Sequence, residues 1–69
     1  MILNDLKAIL AGNVTVKQWN EKTEGYKTLH SSTNFKVIDL PVELKLKEVT
    51  SIYADTEDQE QNFTIVEVE

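Results

Sequence analysis

The sequence predicts an α+β fold, with an N-terminal helix packed on a small antiparallel sheet of about four strands. Three observations carry this reading. Apolar residues recur at helical spacing near the N-terminus. Later stretches rich in Val, Ile and aromatic residues alternate as strands do. Polar loops separate these stretches into two pairs, giving the order helix, hairpin, connector, hairpin. The 69 residues form one small α+β domain, 1–69. A chain of this size buries only about 60% of the surface its unfolded form exposes.

Ile2, Leu3, Leu6, Ile9 and Leu10 fall on one stripe, with Asp5, Lys7 and Ala8 off it. This spacing predicts a helix over 2–11. Gly12 suits its end, since glycine takes a positive φ without steric cost. Asp5 near its start complements the helix dipole. Residues 14–19, VTVKQW, then alternate as a strand. Residues 20–25, NEKTEG, read as a loop, and Tyr26 to Ser31 as the return strand. Setting Trp19 opposite Tyr26 places Lys17 against Thr28 and Thr15 against His30. Val14, Val16 and Leu29 then share the other face, for the helix to cover.

Residues 31–34 read as a loop, and Phe35 to Ile38 as a short apolar run. Residues 41–47 are open to two readings. Val42, Leu44 and Leu46 alternate as a strand, yet Pro41 can open a helical turn and Leu, Glu and Lys favour helix. The balance favours a short helix or turn. Val49 to Ala54 and Phe63 to Val68 pair as the second hairpin. Ile52, Phe63 and Ile65 then share one face, and Val49, Tyr53, Val66 and Val68 the other. Both faces are partly apolar, although a lone antiparallel sheet usually keeps one face wet. Self-association, a partner surface or the connector would cover the second.

The stretches LNDLKAIL, VTVKQW, LPVELKLKEVTSIYA and FTIVEVE together resemble a loose class of small uncharacterised phage and mobile-element proteins. That class opens with a short Leu-rich helix and a Val-x-Val strand, and closes with a Val-x-x-Ile strand and a short apolar strand. The resemblance covers most of the chain and rests on hydrophobic positions. It implies an origin and a shape, and brings no functional residues to carry over.

The net charge of −5 is unevenly spread. Residues 1–47 hold seven Lys against five acids, whereas residues 48–69 hold seven acids and no Lys, and Arg is absent throughout. Phosphate-backbone binding needs clustered Lys and Arg, so direct nucleic-acid binding is not expected. Asp5 and Lys7 interrupt the N-terminal apolar run, which excludes a signal-peptide pattern. No stretch approaches the roughly 20 apolar residues of a membrane span. The expected location is the cytoplasm of a bacterial host. With no Cys, the chain has neither a disulfide framework nor a thiolate metal site.

Two candidate contact regions emerge. Asp55, Glu57, Asp58 and Glu60 lie in an acidic run between the last two strands. The run departs from a Ca²⁺ loop, because Glu60 stands where the sharp turn needs Gly and no Glu stands at the twelfth position. It reads either as a hairpin loop kept wet by charge or as a mimic of nucleic-acid phosphates that would occupy a basic groove. Trp19 and Tyr26 read either as a cross-strand pair closing the hairpin or as an exposed contact pair. His30 has Ser31 and Ser32 as sequence neighbours, but adjacent strand residues point to opposite faces. No catalytic set, metal site or cofactor is expected. The expected function is a non-enzymatic accessory protein that binds another protein or itself, possible homodimer included, first through Trp19 and Tyr26. The alternative is an acidic nucleic-acid mimic that inhibits a host enzyme.

Overall fold

The computed structural model describes residues 1–55 and 62–69. Four strands carry the fold: β1 (Ala11–Asn20), β2 (Gly25–Lys36), β3 (Val49–Asp55) and β4 (Phe63–Val68). They form one sheet in the order β2-β1-β4-β3. Both hairpins are antiparallel, as their sequence pattern predicts, but β1 and β4 meet in parallel at the centre. The sheet is therefore mixed, not antiparallel, and the fold is mainly β, not α+β. Because β2 and β3 run in the same direction, the chain must return along the sheet between them. Residues 37–48 make that return, through a 3₁₀ turn at Val37–Asp39 and a short helix, α1 (Val42–Lys45).

The helix expected over 2–11 does not form. A 3₁₀ turn at Leu3–Leu6 stands in its place. Leu3, Leu6 and Leu10 are buried as the apolar stripe requires, but Ile9 is 73% exposed. Two competing sets of backbone hydrogen bonds explain this. Leu3 N–H donates to the Lys47 carbonyl at 2.9 Å, and Val49 N–H donates to the Met1 carbonyl at 2.8 Å. These bonds hold Ile2 in an extended bridge opposite Glu48. At the other end β1 already begins at Ala11. The stretch left between them is too short to recover the cost of helix nucleation. Asp5 still serves as a cap, accepting a 3.0 Å bond from Ile2 N–H. Gly12 ends no helix; it lies inside β1 at φ +80°, next to a register shift.

One face of the sheet, the inner face, carries the core. Val14 and Val16 of β1, Val66 and Val68 of β4 and Phe35 of β2 pack under Leu3, Leu6, Leu10, Val37 and Leu40. Fully burying each such side chain is worth about 1.5–3 kcal/mol. The covering layer turns Ile9, Ile38, Val42 and Leu46 to solvent on its far side.

Bulges correct the expected register. Trp19 faces Tyr26 and Lys17 faces Thr28 as the sequence predicts, but a shift between Val16 and Lys17 sets Thr15 against Ser31, not His30. β2 also continues through residues 31–34, the expected loop, to Lys36. In the second hairpin a shift between Val49 and Ser51 makes Thr50 an extra residue. An extra residue sends every later side chain to the opposite face. Ile52 therefore pairs with Val66 on the inner face, and Tyr53 pairs with Ile65 on the outer one. The sequence pattern had placed these two the other way round.

Replacing Leu6 with Ala should cost about 2–4 kcal/mol in urea unfolding, while Ile9→Ala should cost under about 0.5 kcal/mol. A regular helix over 2–11 would make both costly. Gly12→Ala meets no atom within 4 Å, so its cost is the backbone strain of φ +80° alone. About 1 kcal/mol is expected in the same assay, and less for Gly12→Asn, which tolerates this conformation better.

Candidate functional site

The outer face of the sheet has no described element packed across it. Strand alternation brings Thr15, Lys17 and Trp19 of β1 to this face. Their register partners Ser31, Thr28 and Tyr26 join them from β2, and Ile65 and Glu67 from β4. Tyr53 and Asp55 come from β3, opposite Ile65 and Phe63.

Trp19 and Tyr26 meet edge to face, with ring centroids 5.1 Å apart and planes at 68°. They remain 47% and 51% exposed, so the contact leaves about half of each residue available. The Tyr26 hydroxyl donates to Glu67 Oε2 at 3.1 Å. From the opposite edge, the Tyr53 hydroxyl donates to Glu67 Oε1 at 2.7 Å. One carboxylate on a central strand therefore holds a phenol from each edge strand. An ionised carboxylate has lone pairs enough for both. Lys17 is the register partner of Glu67 across the parallel pair, yet the carboxylate takes its described hydrogen bonds from the phenols.

Losing a phenol proton here would remove a hydrogen bond to Glu67 and set a second negative charge beside it. The Tyr53 phenol is accordingly pushed up to about 12, first by its hydrogen bond to Glu67, with desolvation and the charges of Glu67, Tyr26 and Asp55 adding to it. Tyr26 is raised for the same leading reason.

Beneath these residues the face has a small floor of its own. Thr15 and Ile65 are register partners and are 9% and 3% exposed. The Thr15 and Ser31 hydroxyls lie 2.9 Å apart and satisfy one another. His30 turns to the inner side, opposite Val16, with its ring 5.6 Å from that of Phe35. His30 and Ser31 thus point to opposite faces and cannot act as a base and nucleophile pair. Among the described residues, no three His, Cys, Asp or Glu side chains gather as a metal site.

Of the residues singled out in the sequence, Trp19 and Tyr26 come together and Asp55 shares their face. Glu57, Asp58 and Glu60 lie outside the described residues. Sequence reasoning missed Tyr53 and Glu67. Alternation along β4 does place Glu67 on the side of Phe63 and Ile65, away from Val66 and Val68. Tyr53 is displaced by the extra residue at Thr50, which no alternation pattern announces.

The chain has two tyrosines, and both bond to Glu67. A phenolate absorbance titration therefore reads this cluster and nothing else. Both should ionise late, Tyr53 near pH 12, and Glu67→Gln should bring both back towards about 10. A raised folded value means that the unfolded chain loses its phenol protons first. The stabilisation is complete below about pH 10, and is lost as pH climbs from there through the folded values. Solvent screening of this exposed cluster keeps the effect small, so urea midpoints measured across that window should fall only slightly more steeply for the wild type than for Glu67→Gln. The chain matches no protein-family model, no curated protein and no solved structure.

Proposed function

We propose that this chain is a non-enzymatic binding protein that docks another protein on its outer sheet face, through Trp19, Tyr26 and Tyr53. One observation carries the reading: two exposed phenols are fastened to a shared carboxylate, with an exposed indole against one of them. Trp and Tyr dominate contact energetics at protein interfaces. Side chains already held in place lose less conformational freedom on binding, so more of the contact energy appears as affinity. The connector and the N-terminal turn both pack on the inner face, which leaves this aromatic surface for a partner. An accessory role in a phage or mobile element, in the cytoplasm of a bacterial host, belongs to the same proposal and is supported by the residue pattern alone. No helix among the described residues is long and apolar enough to cross a membrane.

The test is an affinity pull-down from bacterial lysate, with partners identified by mass spectrometry. Two variants run in parallel, each checked for folding by circular dichroism. Trp19→Ala should weaken the captured partner at least about tenfold, as loss of a contact hot spot does. The second variant neutralises Asp55, Glu57, Asp58 and Glu60 with Asn and Gln, and should keep the partner. If the second variant loses a nucleic-acid enzyme that Trp19→Ala retains, the nucleic-acid-mimic reading replaces this one. If the protein recovers only itself, a second copy is the occupant of the face.

A further inference from the structure

We infer that the chain forms a two-fold dimer through its covering layer, with α1 packed parallel to α1 of a second copy. The contact lies on the inner side of the sheet and stands apart from the reading of the outer face.

The covering layer is apolar on both of its sides. Leu3, Leu6, Leu10, Val37 and Leu40 face the sheet, while Ile9, Ile38, Val42 and Leu46 face solvent. The Leu3–Leu6 turn packs against both the Val37–Asp39 turn and α1, so the layer is continuous. An unpartnered apolar surface of this kind marks a contact site. Its most ordered part is α1 with the residue that caps it. Leu46 N–H donates to the Val42 carbonyl at 3.2 Å, which sets these two side chains one turn apart on a single stripe. Leu46 and Val42 are 61% and 66% exposed, whereas Leu44, on the other side of the turn, packs against the core.

The flanks of this stripe select the occupant. Glu43 lies on one side of it and Lys45 on the other. Neither has a side-chain partner among the described residues. Their charged neighbours are already engaged: Glu48 holds the Met1 ammonium at 3.1 Å, and Lys47 Nζ reaches the Glu69 carbonyl at 3.4 Å. The five residues VELKL thus carry an apolar residue at each end and opposite charges one step in from each end. A two-fold axis along a parallel pair of these turns seats Val42 on Val42 and Leu46 on Leu46. It also brings Glu43 of each copy to the flank where Lys45 of the other lies. Antiparallel packing would set Glu43 beside Glu43 and Lys45 beside Lys45, so charge opposes it. The surface is therefore its own complement, as a two-fold contact requires. An anionic membrane is a poorer occupant, because Asp5, Asp39 and Glu43 lie in the same layer and the chain carries −5.

A standard interface takes about 800 Å² from each partner. One helical turn and its neighbours cover less than this, so a weak dimer is expected. It would turn its two outer sheet faces away from each other and offer two aromatic clusters at once.

Sedimentation velocity of the purified chain from about 5 µM to about 1 mM tests this. The chain should be monomeric at the low end and dimeric at the high end. Leu46→Gln should weaken the dimer about tenfold or more. Leu46 is exposed, so circular dichroism should show that variant folded. Glu43→Lys or Lys45→Glu alone should weaken the dimer about fivefold, since each turns two attractions into repulsions, and the two together should restore it. Trp19→Ala, on the opposite side of the sheet, should leave it unchanged. A monomer at every concentration would overturn the inference. So would a dimer indifferent to Leu46→Gln, or a double variant that recovers nothing the single ones lost. Loss of the dimer in Trp19→Ala would put the second copy on the outer face, and species larger than a dimer would contradict a closed two-fold contact.

Discussion

The parallel pairing of β1 with β4 is the contact on which the rest of the molecule depends. It joins two hairpins that are otherwise separate in sequence. Val14, Val16, Val66 and Val68 bury their side chains along it on the inner face. Thr15 and Ile65, neighbours in its register, are buried on the outer face as well. Parallel strands usually need cover on both faces. Here the connector and the N-terminal turn supply it on one side, and side chains of the sheet itself supply it on the other. The direction of this pair also fixes the path of the chain. With β2 and β3 running the same way, residues 37–48 have to cross the inner face, and Val37 and Leu40 enter the core as they do so.

The arrangement of the outer face follows from the same pairing. A central β4 puts Glu67 between the two edge strands, within reach of Tyr26 from β2 and Tyr53 from β3. The cluster is exposed, so its hydrogen bonds compete with water and add little to global stability. Their effect is local. They fix the orientation of two aromatic rings and, through the Tyr26 contact, that of Trp19. The covering layer also exposes Ile38, Val42 and Leu46, but no described hydrogen bond holds those side chains in place.

Much of this was legible in the sequence, and the failures have physical causes. The strands and the first hairpin follow from β-branched alternation and the polar NEKTEG turn, down to the Trp19–Tyr26 pair. The short helix at Val42–Lys45 agrees with Pro41 and the Leu, Glu and Lys that follow. Of the N-terminal stripe, Leu3, Leu6 and Leu10 are core, but Ile9 is exposed and no helix forms. Leu3, Leu6 and Leu10 reach the core equally well from a 3₁₀ turn, and the bonds to Lys47 and Val49 that decide the matter come from residues far along the chain. The parallel pair was illegible for a related reason: alternation fixes which residues share a face, but not which strand lies beside which. Tyr53 was lost to one extra residue at Thr50. Of the acidic run, Asp55 lies on the outer face, and Glu57, Asp58 and Glu60 fall outside the described residues.

If the parallel pair is the joint of the fold, the two hairpins must open together. Native-state amide hydrogen exchange tests this most directly, because it assigns an opening free energy to each strand. The account predicts one shared, highest value for Thr15 to Gln18 of β1 and Ile65 to Val68 of β4, with the single-turn bonds of Lys7 and Ile9 opening at lower values. Separate values for the β1–β2 and β3–β4 hairpins would contradict it, because each hairpin would then open without the other.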